Sequence, residues 1–85
     1  MTTNYLFANP ANYHIQLFGP PSQTLKEILG SMEIRTSTIA GNKYTEVTGV
    51  LPDQVALIGI IQKIHQLHYA ITSIKLIDID INLLN

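Results

Sequence analysis

The stretch that decides the fold is Pro52-Asp53-Gln54-Val55-Ala56-Leu57-Ile58-Gly59-Ile60-Ile61-Gln62-Lys63-Ile64-His65-Gln66-Leu67. Leu57, Ile60, Ile61, Ile64 and Leu67 recur at i, i+3, i+4, i+7 and i+10, the apolar stripe of an amphipathic helix. Asp53 is the expected N-cap, with a carboxylate that can accept from the free amides of the first turn. Gln62, Lys63, Gln66 and Gly59 fall on the opposite face. A glycine on an exposed helix face destabilises by up to ~1 kcal/mol relative to alanine, and nothing in the stripe requires one.

Upstream of this helix, Met32–Ile39 and Lys43–Val50 read as two strands joined by the turn signal Ala40-Gly41-Asn42. Their β-branched residues, among them Thr36, Thr38, Ile39, Thr45, Val47 and Val50, suit a pleated surface. Earlier still, Leu25, Ile28 and Leu29 mark a short helix over about Ser22 to Leu29, with Gly30 as the residue that ends it. Ser22 is one N-cap candidate. Thr24 and Glu27 have capping-box spacing and would start the helix later. Tyr13–Phe18 alternates as a strand, with Tyr13, Ile15 and Leu17 on one side, until Gly19-Pro20-Pro21 ends it.

Downstream, Ala70–Leu76 reads as a strand and Ile77–Leu83 as more of the same. The parity changes between them, because Ile74 and Leu76 share one face and Ile77, Ile79, Ile81 and Leu83 the other. A straight strand cannot bury both sets on one side, so either a bulge intervenes or the last segment packs elsewhere. The order β-α-β-β-α-β predicts an α+β, ferredoxin-like βαββαβ sandwich: two helices on one face of a four-stranded antiparallel sheet, plus a strand-like C-terminal tail. Residues 1–12 are expected as a flexible arm, 13–76 as the domain and 77–85 as the tail. The expected core is Leu57, Ile60, Ile61 and Ile64 with Ile15, Leu17, Leu25 and Ile28.

The strand-to-helix segment Thr48-Gly49-Val50-Leu51-Pro52-Asp53-Gln54-Val55-Ala56-Leu57, continuing through Gly59-Ile60-Ile61, resembles a pattern of small bacterial proteins. That pattern runs roughly T-G-x-x-x-D-Q-x-A-L-x-G-L-L, then a polar helix ending and a short strand with Ser before an aliphatic, as in Ser73-Ile74. The resemblance covers about Tyr44 to Ile74. It implies a compact domain and brings no activity, since those proteins are mostly uncharacterised. His68 stands where the pattern usually ends its helix with glycine.

Composition narrows the function. Charged residues make up 13% of the 85-residue chain, about half the usual share, while 46% are hydrophobic. A domain this small with so few charges presents apolar or uncharged surface to water, which points to a partner: a second copy, as a homodimer, or another protein. Lys26, Arg35, Lys43, Lys63 and Lys75 are scattered and the net charge is −1, so nucleic acid and anionic membranes are disfavoured. No apolar stretch reaches ~20 residues, and Met1–Asn12 lacks the pattern of a signal peptide; a cytoplasmic location is expected. There is no cysteine, which removes thiol, disulfide and Cys-ligated metal chemistry.

The remaining candidate sites read first as structure. His65 and His68 have metal-ligand spacing, yet two ligands make a weak site, and a helix C-terminus favours histidine for its own electrostatics. Asp78 and Asp80 share a strand face, Asp53 caps a helix, and the Gly19–Ser22 loop lacks the arginine or cysteines that catalysis or metal transfer would use there. No catalytic, cofactor or metal residue is assigned. The leading expectation is a non-enzymatic protein-interaction or homo-oligomerisation module, with Ile77, Ile79, Ile81 and Leu83 as the candidate interface. The alternatives are an ACT-like regulatory domain binding a small ligand and, more remotely, a dimeric α+β barrel enzyme.

Overall fold

The computed structural model describes residues 9–79. The elements run β1 (Ala11–Phe18), α1 (Gln23–Leu29), β2 (Glu33–Ile39), β3 (Asn42–Leu51), α2 (Gln54–Gln66) and β4 (Ile71–Ile79). The strands form one antiparallel sheet in the order β2-β3-β1-β4. This is the ferredoxin-like βαββαβ arrangement expected from the sequence.

Local chemistry sets the boundaries. Ser22 Oγ accepts from Leu25 N at 3.1 Å, so α1 starts on the serine rather than on the later Thr24 and Glu27 box. Asp53 Oδ1 accepts from Ala56 N at 2.8 Å and starts α2. The β2–β3 hairpin closes through Ala40 and Gly41, both at positive φ (52° and 83°), between the paired residues Ile39 and Asn42. Two central residues at positive φ match the right-handed twist of the flanking strands. His68 also lies in the left-handed region, at φ 65°, just past the C-cap Leu67, with its amide donating to the His65 carbonyl at 2.9 Å. Glycine is favoured at this position because it has no Cβ to crowd the following carbonyl.

The core gathers Ala11, Tyr13, Ile15 and Leu17 of β1, Val47 and Leu51 of β3, Leu25 and Leu29 of α1, Met32, and Ile64 of α2. Both helices therefore lie on the same face of the sheet. Gly49 leaves the space that Met32 fills, since a Cβ there would come within 3.2 Å of the Met32 side chain. Ile28 is half-buried, and Leu29 takes the core position with Leu25 one turn earlier.

The apolar stripe of α2 is only partly core. Ile64 is fully buried and Leu57, Ile60 and Leu67 pack against the cluster from its edge. Ile61 does not join it. It lies about 60° around the helix from Ile64, and α2 rests on the sheet along the Leu57–Ile60–Ile64 line.

The parity change in the last strand is a pair of bulges. Tyr13 pairs with Leu76 and Asn12 with Asp78, leaving Ile77 as an extra residue; Gln16 pairs with Ser73 and Leu17 with Ile71, leaving Thr72 extra. Each extra residue resets the alternation, so Ile71, Ile74 and Leu76 all stand opposite inward-facing β1 residues. β4 runs on past Leu76 through Ile79, so Ile77–Ile79 belong to the sheet.

Candidate functional site

Two surfaces carry chemistry, one on each side of the sheet. On the face away from the helices, β3 presents Glu46 opposite Gln16 of β1 and Arg35 of β2, with His14 and Ser37 as diagonal neighbours. Glu46 Oε1 lies 2.7 Å from His14 Nε2. Its Oε2 accepts from Gln16 Nε2 at 3.0 Å and from Ser37 Oγ at 2.6 Å. Thr72 Oγ1, on a bulge residue of β4, donates to Gln16 Oε1 at 2.7 Å and to the Gln16 carbonyl at 3.1 Å. One network thus ties all four strands together across a solvent-facing sheet.

Partial burial alone would raise the Glu46 pKa. The hydrogen bonds from Ser37, Gln16 and His14, with the charge of His14, outweigh it and hold the carboxyl below its ordinary value. A carboxylate held this acidic is a weak base near neutral pH. Ser37 gives its proton to the carboxylate and not to the imidazole, so the cluster does not build a nucleophile activated by histidine. Chemically it is a brace. Its flanks are apolar: Phe18 and Tyr44 meet edge to face at 5.4 Å and 89°, Ile39 stands on the same face, and Val50 lies towards the other end.

The second surface lies on the helix side. β3 and β4 run parallel, because each is antiparallel to β1, so α2 returns alongside β4 in the opposite direction. Over the second half of β4 the helix layer leaves the sheet uncovered. Ile74 and Leu76 stand opposite the buried Ile15 and Tyr13, yet are 43% and 41% exposed. On α2, Val55 and Ile58 are 58% and 46% exposed, and Ile61 is half-buried. At the opposite end of the helix, Ile61, Gln62, His65, Gln66 and Ile71 line an open cleft of about 620 Å³. Its lining is half-buried at best, whereas small-molecule sites normally enclose most of their ligand.

The sequence candidates are dispersed over this frame. His65 is exposed in the cleft wall, while His68 is exposed beyond the helix end. Among the described residues no group of three or more His, Asp or Glu side chains is placed to hold a metal ion. Asp53 spends one oxygen on its cap. The Gly19–Ser22 loop is fastened rather than open: Tyr69 Oη accepts from Ser22 N at 2.8 Å and donates to the Pro20 carbonyl at 2.9 Å, and Thr45 Oγ1 donates to the Gly19 carbonyl at 2.8 Å. Arg35 pairs with Glu33 at 2.7 Å on the exposed outer strand.

Of the residues expected at an oligomer interface, Ile77 is the bulge residue and is 48% exposed. Ile79 takes the register position opposite Ala11, and Ile81 and Leu83 lie outside the described residues, as does Asp80. Sequence reading missed the Glu46 network, because its partners come from four strands whose register no local pattern encodes. It also missed Val55 and Ile58, although two large apolar residues outside the stripe of an amphipathic helix are a legible signal.

Among the described residues no helix is long and apolar enough to cross a membrane. The model of a family described as a domain of unknown function, DUF8691, matches residues 12–75, and the chain belongs to that family. The match takes in both helices and the sheet up to Lys75. No curated protein and no solved structure matches the chain.

Proposed function

We propose that this DUF8691 domain is a non-catalytic association module, working as a homo-oligomer or on another protein, in the cytoplasm and without a cofactor. The observation that carries this reading is the helix-side surface, where Val55, Ile58, Ile74 and Leu76 expose large apolar side chains. Leaving an aliphatic side chain in water forgoes roughly 1.5–3 kcal/mol of burial, and a domain of 85 residues has little stability in reserve. Contact with a partner recovers that burial. Ile77, the exposed bulge residue of β4, adds to the apolar surface of this strand.

The edge of β4 favours side-by-side packing over simple strand addition. Two bulges and Lys75 interrupt it, devices that keep one sheet from zipping onto another. The Glu46 brace supports the same reading from the other face, since it spends its polar groups on one another and ties the four strands together behind the contact surface. The likeness of residues 44–74 to small bacterial single domains fits a module of this kind. An ACT-like ligand domain draws less support from the cleft beside Ile61 and His65, which is open to solvent.

Sedimentation over a range of concentrations tests the proposal with the wild-type chain and Leu76→Lys. Association by wild type that the charged variant loses, with its fold retained by circular dichroism, is expected. Wild type that remains monomeric throughout, or a variant that associates equally well, contradicts it.

A further inference from the structure

We draw no further inference here: the strongest candidate, the exposed apolar side chains of Val55 and Ile58 on α2 and of Ile74 and Leu76 on β4, belongs to the surface already described, and nothing in the structure shows what covers it.

Discussion

Truncating Ile64 and Ile61 to alanine, separately, gives two very different losses on one helix. Ile64 is fully enclosed and belongs to the one buried cluster that also holds Ile15, Leu17, Val47 and Leu25. Replacing it removes three carbons from a site walled by two helices and a sheet, where little can collapse inwards. The expected loss is about 3–4 kcal/mol, within the range for buried isoleucine. For a domain of this size each kcal/mol moves the melting temperature by roughly 4–8 °C, so Ile64→Ala should melt at least ~12 °C lower. Ile61 lines an open cleft and stands outside that cluster. It gives up about half of its burial energy and leaves no cavity, so Ile61→Ala should lose only about 1 kcal/mol. Thermal and urea denaturation of dilute samples measure both. Equal losses would mean that α2 is rotated from the orientation described, with Ile61 turned into the core.

Two further outcomes follow from local geometry and electrostatics. His68→Gly relieves a side chain held at positive φ and should stabilise the domain by about 1 kcal/mol after the added freedom of the unfolded glycine is counted, read as a higher urea midpoint. Glu46→Gln should destabilise at neutral pH by about 1–2 kcal/mol, since it weakens hydrogen bonds to a charged acceptor. Because the folded carboxyl is held below its ordinary pKa, its contribution is complete above the unfolded value and is lost as pH falls through the folded one. The gap between wild type and variant should therefore close in acid, and a gap that is constant down to pH 2 would contradict the assignment.

The sequence shows the fold clearly wherever the signal is local. Asp53 and Ser22 cap the helices they precede, and Ala40-Gly41 turns the hairpin. The parity change after Leu76 is a bulge, one of the two accounts that the alternation allowed. Long-range register is a different matter. Glu46 meets His14 and Gln16 only because β1 lies beside β3, some 30 residues away in the chain, and nothing near Glu46 announces it. The α2 stripe shows a similar limit. Periodicity gives the direction of the apolar face but not its width, and with two helices over four strands Ile61 falls outside the contact line. Ile74 and Leu76 alternate as buried residues do, yet they stand at the sheet's edge beyond the reach of α2. Among the described residues nothing covers this apolar pattern, and in the association proposed above that place belongs to a partner.

The measurement that bears most directly on this account compares the two faces of the sheet. Sedimentation equilibrium is run on wild type, on Val55→Lys/Leu76→Lys and on Phe18→Lys/Val50→Lys, which charges the face that carries the Glu46 brace. The helix-side variant should be monomeric, while wild type and the brace-side variant share one association constant. If the brace-side pair dissociates the complex and the helix-side pair leaves it unchanged, the association surface lies on the wrong side of the sheet and the account fails.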